Sequence, residues 1–398
     1  MSAQNSLLNR TQPGSSTMAQ WDWLIVGAGF TGAVLAERIA NELDQSVLLI
    51  DRRHHVAGNA FDMQMDDVLL HRYGPHIFHT NSQKVWSYLS RFTSWRPYFH
   101  HVLGVVDGRH VPIPFNLNSI LAVFPPRMAD QLCDALIARY GFGQKVSILK
   151  LRTEQNTELC FLADYVYAKV FENYTLKQWG LRPEDLSPGV TGRVPIFVSR
   201  DDRYFQDYYQ AMPEDGYTVL FNRMLDHPRI SIELNVEYRD VARTSCFRRT
   251  IFTGPIDEFF EHVHGALPYR SLRFETRSVP KHRGLPVGTV NFPNEFEFTR
   301  ITDHRHLSGE PDVTPLLVTE YPEPYCTGVN EPYYPIPTEQ NASLLQLYLK
   351  EAAGLDGQVF FAGRLGDYAY YNMDQACARA LSMFEKRIIP IASYTKAA

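Results

Sequence analysis

One run of residues, Trp23-Leu24-Ile25-Val26-Gly27-Ala28-Gly29-Phe30-Thr31-Gly32, limits what this chain can fold into more than any other. A short apolar stretch feeds directly into G-x-G-x-x-G. An amphipathic helical pattern follows over Ala33 to Leu43, and a second apolar run, Val47-Leu48-Leu49-Ile50, ends on Asp51. In that order the pieces make a strand–helix–strand unit for a dinucleotide. Gly27 permits the tight turn, Gly29 lets the backbone approach a pyrophosphate, Gly32 lets helix and strand pack closely, and Asp51 can accept from a ribose hydroxyl. The start of the helix adds unpaired N–H groups and the positive end of its dipole. The bare motif is a weak signal, and a glycine turn serving only packing is the plain alternative. The strand before it, the helix after it and the acid at the right distance favour the dinucleotide.

A chain of 398 residues with 44% hydrophobic content can bury a substantial core and divides into two or three domains. Its formal net charge of -5 argues against a partner held by overall positive charge, so no nucleic acid is expected and any anion site must be local. Cys133, Cys160, Cys246, Cys326 and Cys377 show neither a C-x-x-C pair nor metal-ligand spacing, the pattern of reduced thiols in a cytoplasmic protein. Residues 1–20 are polar and lack an apolar segment of signal-peptide type, so a disordered tail is expected there. The longest apolar runs fall short of a membrane span, and no membrane partner is expected. The 22 tyrosines exceed what a core needs and could supply a pocket with hydroxyl-tipped walls.

After the first unit comes a polar loop, Arg52 to Ala60, with a Gly58-Asn59 turn, where Arg52 and Asn59 are placed to meet the adenosine and pyrophosphate. Next is His71-Arg72-Tyr73-Gly74-Pro75-His76-Ile77-Phe78-His79. Its histidine spacing of i, i+5, i+8, broken by Gly-Pro and without an acid or thiol, argues against zinc, so no metal is expected. The better reading is a backbone passing close to a planar cofactor, with His76 presented to the ring; for His79 a satisfied core histidine is the plain alternative. Gln83 to Thr93 has helical spacing, and Tyr98 to Pro114 alternates like strands. Met128 to Tyr140, Thr157 to Phe171 and Tyr174 to Gly180 carry apolar residues three and four apart, as helices do. Pro183, Pro188, Gly189, Gly192 and Pro195 then break all regularity, predicting a mobile loop near 181–195. Ile230 to Val236 and Thr250 to Asp257 read as strands rejoining the cofactor sheet. Tyr269 to Phe274, Pro286 to Phe292, Phe296 to Asp303 and Leu316 to Tyr321 supply a second, antiparallel sheet. A last strand, Gln358 to Ala362, runs into Gly363-Arg364, and a helix spans Gln375 to Arg387.

At Gly363-Arg364-Leu365-Gly366-Asp367-Tyr368-Ala369-Tyr370 the chain resembles the bacterial UDP-galactopyranose mutases, flavoenzymes that interconvert UDP-galactopyranose and UDP-galactofuranose. The resemblance runs from about Trp21 to Arg387. It rests on VGAGFTG, RYGPHIFHT, PIPFN, YTLKQWG, TGPID, PYRSLRFET, FTRITDHRH, EPYYPIP and GRLGDYAYYNMD, in that order. It implies an α/β fold with a Rossmann-like FAD-binding domain, an inserted helical domain and an antiparallel β-sheet domain. The expected division is 21–97, 211–262 and 340–390 for the discontinuous FAD domain, 116–187 for the helical domain, and 98–115, 188–210 and 263–339 for the sheet domain.

Contacts to FAD are implied for Gly27, Gly29, Thr31, Gly32, Asp51, Arg52, Gly58, Asn59, His76, Ile77, Val236, Gly363, Arg364, Tyr371, Asn372, Met373 and Ala376. Substrate contacts are implied for His100, Phe171, Tyr174, Thr175, Trp179, Arg193, Tyr204, Arg270, Asn291, Arg300, Tyr334, Arg364, Tyr370 and Asn372. Arg193 and Arg300 correspond to the family's two diphosphate arginines, whose planar guanidinium groups suit phosphate oxygens. A tryptophan on a helical face is more often core than ligand wall, so Trp179 enters through the resemblance. Two residues depart from many bacterial members: Asn372 stands where they have an aspartate, removing a negative charge, and His100 where they have an asparagine, adding either a positive charge or a neutral donor.

The family's chemistry changes no oxidation state. Reduced FAD acts as a nucleophile through N5 at the anomeric carbon, Arg193 and Arg300 stabilise the departing UDP, and His76 tunes or positions the flavin. The resemblance also implies a homo-oligomer, an external reductant (NAD(P)H or another) and a supply of galactofuranose for cell-surface glycans. Two other readings share the fold: an FAD amine oxidase or desaturase with net redox turnover, and a flavin-free binding protein of the dissociation-inhibitor type.

Overall fold

Two apolar strands with a helix between them begin the architecture. In the computed structural model, which describes residues 20–187, 192, 194–244 and 246–395, Gln20–Val26 and Val47–Asp51 lie parallel, with Trp23 opposite Val47 and Val26 opposite Ile50. Ile230–Leu234 adds outside Val47–Asp51, while Cys246–Phe252 and then Val359–Phe361 add on the other side. The result is a five-stranded, wholly parallel sheet. Such sheets are covered on both faces, so their strands read as unbroken apolar runs. Val47, Leu48, Leu49 and Ile50 are accordingly all 2% exposed or less.

The helix Phe30–Leu43 covers one face of this sheet through Ala33, Val34, Ala36, Ile39 and Ala40. Small residues bring it close: a methyl group on Gly32 would stand 1.9 Å from the Gly27 carbonyl oxygen. The helix Met373–Met383 lies beside it and buries Cys377, Ala380 and Leu381 in the same core.

A seven-stranded sheet forms the second layer, in the order Tyr334–Pro335, Tyr269–Ser278, Leu316–Pro324, Arg300–Asp303, Thr289–Asn291, Val102–Val106 and Arg109–Ile113. It is antiparallel except where Thr289–Asn291 runs parallel to Val102–Val106, a departure from the expected wholly antiparallel sheet. The helices Leu117–Val123, Pro126–Tyr140 and Thr157–Val166 pack on its far edge, sharing one core with Val102, Val106, Val111 and Ile113. Asn156 starts the last of these by accepting from the Leu159 N–H at 2.9 Å.

The chain does not leave the helix at Val166. It passes through one widened turn, Tyr167–Phe171, where the Glu172 N–H donates to the Tyr167 carbonyl five residues back, and resumes as Glu172–Trp179. Gly180, at φ 69°, ends it in the left-handed conformation that favours glycine.

Three expectations are corrected. Of Phe296 to Asp303 only Arg300–Asp303 is strand, because Phe292, Phe296 and Phe298 pack on one another, the last two 4.8 Å apart, and hold 292–299 as a turn. Within 188–210, Ile196–Phe197 pairs with Lys145–Val146 rather than with the large sheet. Ile196 and Val198 are buried in the core of the helical segment, which gives that short apolar run a closer cover. The helix from Gln83 stops at Leu89, short of Thr93, with Ser90 as its cap. The tail 1–19, residues 188–191 and Arg193 lie outside the described residues, so the expected disorder and loop mobility there have no counterpart to compare. No helix among the described residues is long and apolar enough to cross a membrane.

Candidate active site: two clefts with a common wall

The parallel sheet ends in a cleft of ≈ 1200 Å³ at the carboxyl ends of its strands, where open α/β sheets place their ligands. Its floor is backbone. Gly27, at φ 101°, turns the chain between strand and helix, and a Cβ there would meet Thr253 Oγ1 at 2.1 Å. Gly29 precedes the helix Phe30–Leu43 and offers no side-chain cap, so the first N–H groups of that helix remain for a ligand. Gly58 faces Gly29 so closely that a methyl group would sit 2.9 Å from the Gly29 Cα. An uncapped helix start between two glycine backbones fits a pyrophosphate.

Fifteen of the seventeen residues expected to hold the cofactor line this cleft: Gly27, Gly29, Thr31, Asp51, Arg52, Gly58, Asn59, His76, Val236, Gly363, Arg364, Tyr371, Asn372, Met373 and Ala376. Gly32 instead serves the close packing of helix on turn, and Ile77 faces the adjoining cleft. The Asp51 carboxylate is held by the Ala28 N–H at 2.8 Å and the Arg53 N–H at 2.9 Å, tying the glycine turn to the end of the second strand. Arg52 and Arg53 both reach Glu331, at 3.0 and 3.1 Å, and Arg53 also donates to Asn59 Oδ1 at 2.9 Å.

The second cleft, ≈ 1920 Å³, opens against the first. Asn59, His76, Arg364, Tyr371, Asn372 and Met373 line both. Its own lining includes His100, Tyr174, Trp179, Tyr204, Asn291, Arg300, Tyr334 and Tyr370 from the expected set. Tyr334 and Tyr370 stack with ring centroids 5.3 Å apart, Trp179 stands 5.7 and 6.2 Å from them, and the Arg364 guanidinium lies over both at 5.8 and 5.4 Å. Phe171 and Thr175 face an apolar recess that continues past Tyr174 and Trp179.

Arg300 is the charged centre. Its Nε and Nη2 both donate to Glu320 Oε2 at 2.9 Å, across the ladder in which Arg300 and Glu320 are register partners. The Glu320 side chain is 2% exposed and that of Arg300 26%, so the guanidinium keeps an edge toward the cleft. Burial works against its charge, and Glu320 together with Tyr174 and Tyr334 more than offsets it, holding the group protonated.

Two of the cleft's histidines, His76 and His100, are held toward the neutral form. Burial, followed by the nearby Arg300 guanidinium, holds the His100 imidazole at about 3. His76 is brought to about 4 by burial, with Arg364 and Arg300 adding to the effect and a bond of its Nδ1 to the Gly74 carbonyl (2.8 Å) opposing it. Of the two roles open for His100, this environment favours the neutral one.

Arg270 does not reach the cleft. It donates to the Gln178 and Lys177 carbonyls at 3.0 Å each, behind the helix that carries Trp179. Glu320, Glu331 and Arg53 were missed. Glu320 alternates correctly within Val318-Thr319-Glu320, but the strand opposite it is visible only in the fold. Arg193 lies outside the described residues.

This combination defines an enzyme class: a Rossmann-like dinucleotide fold, with a flavin-type cofactor implied, and a side-chain-walled cleft for a second ligand. The model of the UDP-galactopyranose mutase family matches residues 169–370, and that of an NAD(P)-binding Rossmann-like domain matches 25–92. A probable UDP-galactopyranose mutase of Klebsiella pneumoniae is 35% identical over 93% of this chain and 95% of its own. A dTDP-fucopyranose mutase of Escherichia coli is 30% identical over 90% and 96%. The crystal structure of a reduced UDP-galactopyranose mutase agrees in fold, with a TM-score of 0.70 over 94% of both chains at 16% identity. The chain belongs to the UDP-galactopyranose mutase family, a family of isomerases, which decides among the three readings that the fold alone left open.

Proposed function

We propose that the chain interconverts UDP-galactopyranose and UDP-galactofuranose, with FAD in the glycine-floored cleft and the nucleotide sugar in the adjoining one. The observation that carries this is the common wall: six residues face both clefts, so the two ligands would meet along it. When bound and reduced, the flavin would supply a nucleophile, N5, for the anomeric carbon, and ring size would change without net redox.

The chain's own groups divide the remaining work. The Gly29 and Gly58 backbone and the start of Phe30–Leu43 hold the pyrophosphate, and Asp51 takes the ribose. The start of Met373–Met383 places a positive helix end at the inner side of the same cleft, where it favours negative charge on a reduced ring. Arg300 meets the diphosphate and steadies it as the bond to the sugar breaks. Arg193 is proposed to join it. Trp179, Tyr334 and Tyr370 enclose the sugar side and exclude water, and neutral His76 donates or accepts without adding charge beside the flavin.

The test is turnover. Dithionite-reduced protein should convert UDP-galactofuranose to UDP-galactopyranose, followed by chromatography, and oxidised protein should not. Equal activity in both states, or turnover of a dTDP-fucose substrate alone, would refute the assignment.

A further inference from the structure

The substrate cleft has two walls of separate origin. Tyr174, Gln178 and Trp179 come from the helix Glu172–Trp179, whereas Asn291 and Arg300 sit opposite each other at the ends of two paired strands. The turn 292–299 links those strand ends and lies against the helix. A charged side chain bridges the two walls: Lys177 Nζ donates to the carbonyl oxygens of Phe292 at 2.5 Å, Phe296 at 2.9 Å and Phe298 at 3.0 Å. An ammonium group has three N–H donors, and here all three are spent on one turn.

From the opposite side Arg270, on Tyr269–Ser278, donates to the Lys177 and Gln178 carbonyls. Those carbonyls belong to the last helical turn, which has no intrahelical partner for them. The end of a helix frays more readily than its middle, so the position of this last turn depends on such tethers. The other polar ties nearby are neutral: Asn173 Nδ2 to Asn294 Oδ1 at 2.8 Å, Asn294 Nδ2 to the Lys169 carbonyl at 2.9 Å, and Tyr174 with Thr299. Lys177 lines neither cleft. It is one residue from Gln178 and two from Trp179, and its turn is anchored at both ends by cleft residues.

We propose that Lys177 is a positioning residue: by gathering three carbonyls of the turn 292–299, it fixes the spacing between the Trp179 wall and Arg300, and so sets affinity for the diphosphate of the nucleotide sugar. The inference rests on the second cleft being the nucleotide-sugar site. The geometry demands a compact ammonium. A planar guanidinium cannot point three donors at three converging carbonyls.

The experiment uses the flavin-loaded full chain, with UDP as probe. In Lys177→Met the dissociation constant of UDP, read by calorimetry, should rise about tenfold or more. KM for UDP-galactofuranose should rise more than kcat falls, with flavin content and absorption spectrum unchanged. Lys177→Arg should recover only part of the loss. Wild-type UDP affinity in Lys177→Met would overturn the proposal, and so would full recovery in Lys177→Arg, which would leave a role for charge alone. Should Lys177→Met fail to fold, Lys177→Gln is judged by the same titration. A wild-type chain that binds UDP without turning over UDP-galactofuranose refutes the proposed reaction and leaves the titration to decide about Lys177. One that binds no UDP overturns both.

Discussion

The two clefts are built from different materials. The dinucleotide cleft rests on a floor of backbone: glycines without Cβ atoms, an uncapped helix start and a carboxylate that ties them together. The adjoining cleft is made of side chains that arrive from at least five separate segments, around an Arg300–Glu320 pair whose members are twenty residues apart. A backbone site tolerates change in the side chains around it and fails when a Cβ is added. A side-chain site behaves in the opposite way, because each group contributes one charge or one surface that its neighbours cannot replace.

Arg300→Ala gives the largest effect expected. It should lower kcat/KM by roughly 10²- to 10³-fold while leaving flavin bound, as measured by turnover and absorbance on the same sample. It also strands the buried Glu320 carboxylate, at a cost of about 3–5 kcal/mol. The double variant Arg300→Ala/Glu320→Gln should therefore regain thermal stability without regaining activity. If activity returned with stability, Arg300 would be structural and the contrast between the clefts would collapse.

Gly32→Ala tests the other side. Its methyl would fall 1.9 Å from the Gly27 carbonyl oxygen, displacing the turn and costing more than about 3 kcal/mol. The purified protein should be colourless or nearly so. Full flavin content would show that the turn adapts more freely than its geometry allows.

The smallest effect is one of pH. Both His76, at about 4, and His100, at about 3, titrate below the ordinary histidine value in the folded chain. Their contribution to stability is thus fully present above pH about 6.5 and is lost as pH falls through the folded values. The melting temperature should decline on acidification from pH about 6 to 4, and less steeply in His100→Gln. Above pH about 6.5 neither imidazole should produce an inflection in kcat/KM. An inflection near pH 6.5 that disappears in His100→Gln would show that this group is charged in the working enzyme.

The same contrast explains what could be read from the chain alone. Gly27, Gly29, Gly32 and Asp51 are close in sequence and act through local geometry, so their spacing announces them. Trp23 to Val26 and Val47 to Ile50 were legible as apolar runs for the same reason, while the edge strand Ile230–Leu234 showed only alternation. The second cleft was reached through resemblance. Nothing local distinguishes Arg300 from Arg270, yet the fold turns one into the cleft and the other onto the back of a helix. Register decides it, because Arg300 meets Glu320 only when Arg300–Asp303 and Leu316–Pro324 pair as they do. Residues 296–299 of that turn were misread as strand because their phenylalanines are good strand formers, and only the packing of Phe292, Phe296 and Phe298 on one another shows otherwise.

The widened turn at Tyr167–Phe171 sits at the boundary of these two kinds of construction. It lets one continuous rod present Leu159, Leu162 and Val166 to a hydrophobic interior and then, past the surplus residue, point Tyr174 and Trp179 at the ligand space. Because each residue advances a helix by about 100°, shortening this stretch by one position would swing the tryptophan off its tyrosine neighbours. The aromatic wall of the second cleft is thus indexed, like the tooth of a gear, to a single extra residue in a helix.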